Sequence, residues 1–258
     1  MSGVTDRPSD PHGENLHEYA ASGVRIERVL AIMAHPDDVD FGAAGTVAHW
    51  TDRGIEVTYC LVTDGDAGGF DPEIPRSAIA GIRRAEQTAA AAQVGVSNLV
   101  FLGHPDGRLL PTLDLRRDLS RVIRQVRPQR VVTQCPERNF SRIYASHPDH
   151  LAAGEAAICA VYPDARNPFT FTELLEQEGL DAWSVQDVWM TGGPNPQHPV
   201  DITDQVERKI AALLCHASQH PDPAQMQTRV RAWGAMNAEQ FGLGPGRAAE
   251  AFQVIDTR

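Results

Sequence analysis

The tripeptide His-Pro-Asp occurs four times in this chain, beginning at His35, His104, His147 and His220. With 10 His, 18 Pro and 20 Asp among 258 residues, random order gives ~0.05 such tripeptides. Composition alone does not explain them. Imidazole and carboxylate are the groups that ligate divalent metals and move protons near neutral pH. Pro fixes one backbone angle and Asp bonds nearby amides, so the same tripeptide also suits a turn.

Two copies extend into richer sets. His35-Pro36-Asp37-Asp38 places His35 and Asp38 three apart, so one turn can aim both at a single point, with Asp37 left to face whatever is bound there. The plainer alternative is an acidic helix cap, a task Asp40 could share. In His147-Pro148-Asp149-His150, His150 can complete a set of two histidines and one carboxylate. Three protein ligands plus water is the arrangement of an open catalytic zinc site, and water on such a metal ionises near pH ~7.

These motifs need elements to position them. Residues 29–34 form a short apolar run, as expected of a strand buried on both faces of a parallel sheet. Further strands are expected at 57–63, 99–102, 130–133 and 185–191. Helices are expected at 42–50, 77–94, 115–126 and 150–161, and the chain after Asp201 reads as mainly helical. Alternating strands and helices predict an α/β fold, a Rossmann-like and mostly parallel sheet with helices on both faces and a helical C-terminal part. Both extended motifs then follow strands, where open α/β sheets bind ligands. Residues 64–77 hold three glycines and two prolines and read as an active-site loop. Residues 1–25 are polar and read as a flexible N-terminal arm, with 26–258 as a single domain.

Composition narrows the function classes. Hydrophobic residues make up 42% and charged residues 22%, as in ordinary globular proteins, and a chain this long can bury ~73% of its surface. A net charge of −11 opposes a nucleic-acid partner. No apolar run approaches the ~20 residues of a membrane span. The four cysteines are scattered, which suits buried thiols in a reducing cytoplasm. Length and composition leave self-association into a homo-oligomer open.

With these pieces in order, the sequence resembles the PIG-L/LmbE family of metal-dependent N-acetylglucosaminyl deacetylases. The likeness runs over about 27–255. It rests on Ala34-His35-Pro36-Asp37-Asp38 and His147-Pro148-Asp149-His150, supported by Thr63-Asp64-Gly65, Arg83 with Glu86, Leu102-Gly103-His104-Pro105-Asp106-Gly107, and Lys209 through His216 to Gln219. The resemblance implies a Rossmann-like fold, with His35, Asp38 and His150 holding Zn²⁺ or Fe²⁺. It implies Asp37 as the base for metal-bound water. His147 would be the charged group at the oxyanion or leaving amine, and Asp149 its partner, raising its pKa. Asp106, Arg83 and Asp64 are candidate substrate contacts; the alternatives are that Asp106 stabilises a turn, Arg83 pairs with Glu86 and Asp64 supports its loop. Tyr144, three residues before His147, stands near the place of a family tyrosine that helps hold the oxyanion. The implied reaction is hydrolysis of an N-acyl, chiefly acetyl, group on a small amino-sugar molecule. His104 has no assigned role, His220 reads as a turn residue, and His17, His49 and His198 read as structural or surface residues.

Two other classes use similar residues. A non-haem Fe(II) oxygenase also takes two His and one carboxylate, but it has no obvious need for a base such as Asp37. A catalytically silent carbohydrate-binding protein needs neither Asp37 nor His147.

Overall fold

The computed structural model describes residues 15–258. In chain order the elements are α1 (Asn15–Glu18), β1 (Arg28–Met33), α2 (Asp38–Asp52), β2 (Glu56–Thr63), α3 (Arg76–Gln93) and β3 (Asn98–His104). There follow α4 (Leu113–Val126), β4 (Arg130–Gln134), α5 (Pro148–Cys159), α6 (Glu173–Glu176) and β5 (Asp187–Thr191). The chain ends with β6 (His198–Asp201), α7 (Val206–Leu214), α8 (Pro223–Gln240) and β7 (Ala249–Asp256).

The strands form one sheet in the order β3-β2-β1-β4-β5-β7-β6. The first five are parallel, and β7 runs antiparallel to both β5 and β6. This is the expected Rossmann-like α/β architecture. β1 is the middle one of the five parallel strands, and its residues alternate between two cores. Val29, Ala31 and Met33 pack with α2 and α3, while Leu30, Ile32 and Ala34 pack with α4 and α5. A strand covered on both faces must be apolar at every position, which is why β1 reads as a continuous run.

From β1 the chain builds outward through β2 and β3, then returns to place β4 and β5 on the other side. Ligands in open sheets bind at such a reversal, beyond the strands' carboxyl ends. Both extended His-Pro-Asp motifs sit there. The loop after β1 is pinned from both neighbours: the Thr63 hydroxyl donates to the Ala34 carbonyl at 2.9 Å, and the Ala34 amide donates to Gln134 Oε1 at 3.0 Å. Helix α5 lies so close to β4 that a Cβ at Gly154 would meet the Gln134 carbonyl at 2.2 Å. Only glycine permits this approach, which brings the start of α5 toward β1.

The C-terminal expectation needs correction. After Asp201 the chain does form α7 and α8, but it ends in β7, which inserts between β5 and β6. Two features hid these strands. Glu250 is a buried charge within β7, made tolerable by the ammonium of Lys209 at 2.5 Å. β6 carries Pro199, which a sheet accepts at an edge.

Of the expected arm, residues 1–14 lie outside the described residues. Residues 15–25 are not loose: they form α1 and an antiparallel bridge between Tyr19 and Arg25, with Ala20 in the core. Cys60 and Cys135 are buried, Cys159 and Cys215 are half-buried, and all four are free. Among the described residues no helix is long and apolar enough to cross a membrane.

Candidate metal centre and active-site cleft

The first motif turns sharply between β1 and α2. Asp37 adopts a left-handed conformation, with φ +84°, at the head of α2, a region that few residues other than glycine occupy. Its carboxylate makes no capping bond, so the simple helix-cap reading fails. The turn is held from behind. The Asp37 amide donates to Gln87 Oε1 at 2.8 Å, and Gln87 Nε2 donates to Asp40 Oδ2 at 2.8 Å. Asp40 also meets His216 Nε2 at 2.9 Å, and both residues are fully buried. The second motif enters α5, with His147 at the cap and Pro148 in the first turn. His147 Nδ1 accepts the Asp149 amide at 3.2 Å. In the neutral ring the proton therefore sits on Nε2.

Asp38 joins the two motifs. Its Oδ2 lies 3.1 Å from His35 Nδ1, and its Oδ1 lies 3.0 Å from His150 Nε2. The His147 ring stands 5.1 Å from His35 and 5.3 Å from His150, centroid to centroid. Ligand atoms of the three histidines lie within 4.8 Å of one another. On its other side His35 Nε2 faces Asp106 Oδ1 at 3.0 Å and Asp149 Oδ2 at 3.3 Å. Three of the four His-Pro-Asp copies thus meet at one imidazole: the histidine of the first and the acids of the second and third.

This arrangement fits a divalent cation. Carboxylates behind His35 fix its proton on Nε2 and leave the Nδ1 lone pair toward Asp38, as outer partners of metal-binding histidines do. The local charge is also unbalanced toward the acidic side. Burial works against a charged His35, yet Asp38, Asp106 and Asp149 outweigh it and push its pKa up to about 12. His150 is raised by Asp38 against the same opposing burial. Burial would raise Asp38, but His150 and His35 hold it well below the usual carboxylate range. A cation among these groups would satisfy the acids that protons otherwise must. Burial, opposed chiefly by Arg83, lifts Asp37 to about 6. His147 is lowered, first by burial and then by His35 and His150.

His35, Asp37, Asp38, Asp106, Tyr144, His147 and His150 all line one cleft of about 330 Å³. Tyr144 stands largely exposed, its hydroxyl accepting from Arg142 Nε at 3.0 Å. Three expected roles change. Asp149 makes no carboxylate contact with His147, although its charge still acts to raise the His147 pKa against the burial that lowers it. That carboxylate accepts from the amides of Gly107 and Leu109 at 2.6 and 3.2 Å and faces His35. Arg83 is no free clamp for substrate: its buried guanidinium bonds the carbonyls of Pro36 and Gly65 and lies 3.4 Å from Asp37. Nor does it pair with Glu86, which instead accepts the Ser218 amide and hydroxyl. Asp64 does not line the cleft, because both its oxygens are taken by Arg84 at 2.7 and 2.6 Å. Of the remaining histidines, His104 ends β3 and meets Asp118 at 3.1 Å. His220 lies in the turn segment between α7 and α8, as expected, with its ring against Phe41. Gln219, noted in the sequence only as the end of a stretch shared with the family, is a cleft wall, and sequence reasoning missed Gln87 as a brace, since a lone glutamine carries no spacing signal.

A strand-end His/Asp cluster with a spare carboxylate, set in an α/β sheet, marks a metallohydrolase-like centre. The PIG-L family model, described as GlcNAc-PI de-N-acetylase, matches residues 30–161. The chain is 34% identical to a diacetylchitobiose deacetylase of Thermococcus kodakarensis, over 85% of this chain and 82% of that protein. It is 36% identical to a Bacillus cereus protein named "Probable N-acetyl-alpha-D-glucosaminyl L-malate deacetylase 2", over 74% and 83%. The N,N'-diacetylchitobiose deacetylase of Pyrococcus horikoshii, solved with an inhibitor, superposes with a TM-score of 0.83 at 30% identity. That likeness covers 95% of this chain and 90% of that one. The chain belongs to the PIG-L family of de-N-acetylases.

Proposed function

We propose that the protein is a zinc-dependent hydrolase that removes the N-acetyl group from a small molecule containing N-acetylglucosamine. The observation that carries this reading is the place of Asp37. A half-buried carboxylate with no capping duty stands beside Asp38, which itself links His35 and His150. Relatives that act on N-acetylated sugars support the substrate class.

His35, Asp38 and His150 would hold the cation. When bound, it supplies Lewis acidity and an acidic water. Asp37 takes a proton from the attacking water, a task suited to a carboxylate poised near neutral pH. Arg83 fixes the turn that aims Asp37. His147 faces the cleft, and its ring, once protonated on both nitrogens at the expense of the Asp149 amide bond, can hand the Nε2 proton to the departing nitrogen. Asp149 positions His35. Asp106, Gln219 and the exposed Tyr144 offer polar contacts to sugar hydroxyls. The free thiols accord with a cytoplasmic setting.

The test is amine release from N-acetylglucosamine and its conjugates, with metal analysis on the same sample. Chelation should abolish turnover and Zn²⁺ restore it. Asp37→Asn should keep its metal and lose about 10²- to 10⁴-fold in kcat. Full turnover in that variant, or none in the metal-loaded wild type on any N-acetylated sugar, defeats the reading.

A further inference from the structure

Asp38, Tyr144 and His150 border two spaces. One is the polar cleft. The other is a chamber of about 460 Å³ whose walls include Phe41, Ala145, Val230 and Trp233, together with Arg142 and Arg229. We propose that this chamber receives the acyl arm of the substrate and selects acyl groups longer than acetyl that end in a carboxylate. The proposal rests on the amide-hydrolase chemistry of the reading above and extends the acyl group it accepts beyond acetyl.

The orientation follows from the proton donor. His147 lines the cleft and not the chamber. The departing nitrogen must lie within reach of His147, so the amine and its sugar occupy the cleft. The carbonyl carbon sits at the partition, and its remaining substituent points into the chamber. Polarity agrees: Asp37, Asp106 and Gln219 suit hydroxyls, whereas Phe41, Val230 and Trp233 suit methylenes. Size agrees as well. A methyl group fills only about the space of one water, ~30 Å³, and would leave most of the chamber empty.

Charge supplies the selectivity. In a chain of net charge −11, Arg84, Arg116, Arg121, Arg130, Arg208 and Arg231 are each tied to a carboxylate. Arg142 and Arg229 meet no carboxylate, and unlike other such arginines, for example Arg124 and Arg138, their side chains are not spent on backbone carbonyls. Arg142 lies over the Trp233 ring at 4.7 Å and donates only to Tyr144 from its side chain. Arg229, on the exposed side of α8, donates to Gln225. The only carboxylate among the chamber walls is Asp38, which the cation would claim. Two guanidiniums beside apolar walls fit a short methylene chain with a terminal carboxylate, such as succinyl or glutaryl. The reaction remains simple hydrolysis. The water oxygen bonds to the carbonyl carbon, the C–N pair leaves with nitrogen, and both water protons end on the amine. The products are a dicarboxylate and the free ammonium sugar.

The experiment measures kcat/KM of the zinc-loaded protein on N-acetyl-, N-butyryl-, N-succinyl- and N-glutaryl-glucosamine. A fifth substrate is an N-acetylglucosamine glycoside carrying its carboxylates at C1. The dicarboxylic acyl substrates should exceed N-butyryl by about tenfold, and Arg229→Ala should erase that ratio, the size of one charge-assisted contact. Arg229→Lys should retain part of it, which separates lost charge from lost folding. Turnover of N-acetyl but refusal of every longer acyl group overturns the proposal and spares the deacetylase reading. So does an Arg229→Ala effect confined to the C1-anionic glycoside, which would put the aglycone in the chamber. If no N-acyl sugar is cleaved, both readings fall.

Discussion

The cleft and the chamber share Asp38, Tyr144 and His150 but are finished by different parts of the chain. The cleft is completed by segments that follow β1, β2, β3 and β4, parallel strands of the sheet's first half, with Gln219 the one lining residue from beyond β5. The chamber is closed by α8, which leads into β7 of the antiparallel edge. In the first region short motifs fix both chemistry and position, because each strand end delivers its residues to one place. In the second, apolar and basic residues scattered along a helix make a wall whose character appears only once the helix is docked. Chemistry and selectivity are thus carried by separable pieces.

The comparison breaks most visibly at His150. His150→Ala removes a donor that both spaces border, so metal content after dialysis should fall to near zero. Turnover should drop by about 10³-fold or more. The melting temperature of the metal-free protein should move little, because His150 is a half-buried side chain at a helix start. A variant that keeps one zinc per chain would separate His150 from the cation.

The next largest effect belongs to the antiparallel edge. Lys209 and Glu250 are both 4% exposed in their side chains and lie 2.5 Å apart. Glu250 also accepts from the amides of Gly45 and Thr46 at 3.0 and 2.8 Å, tying β7 to α2. Lys209→Met strands a buried carboxylate and should lower unfolding free energy by about 3–5 kcal/mol. The check is denaturant unfolding beside kcat per folded molecule, which should change far less than at His150. A loss under about 1 kcal/mol would mean that this edge is not held by the pair.

The effect that is smallest at neutral pH lies away from both spaces. His17 packs on His49 and Trp189. Burial, and then the nearby His49 and His198, lower its pKa to about 3. The unfolded chain binds this proton near pH 6.5, so between about 6.5 and 3 the unfolded state holds the extra proton. Stability must therefore fall as pH drops through that window, by up to ~1.4 kcal/mol per pH unit from this group. His17→Gln should flatten the acid side of the curve without altering the metal site. An unchanged slope would show that His17 is charged in the fold.

Much of the first region was legible before any coordinates. β1 reads as a strand because residues 29–33 are all apolar, and the two extended motifs announce themselves by repetition. What spacing could not reveal was partnership. Nothing in the order of residues says that Asp149 serves His35 rather than its neighbour His147, since that depends on loop 105–109 folding under α5. Arg83 looks like a ligand clamp until its helix places it beneath the Asp37 turn. β7 was hidden because Glu250 breaks its apolar pattern, and the lysine that makes this tolerable lies 41 residues earlier.

The left-handed backbone at Asp37 bears on any attempt to harden this enzyme in the laboratory. Glycine adopts that conformation without the side-chain penalty, so heat tolerance and hydrolysis pull the position in opposite directions. A library selected for thermal survival alone would tend to relax this corner and collect sturdy, inert proteins. Evolving a robust catalyst from this scaffold therefore requires that every round also reward product formation.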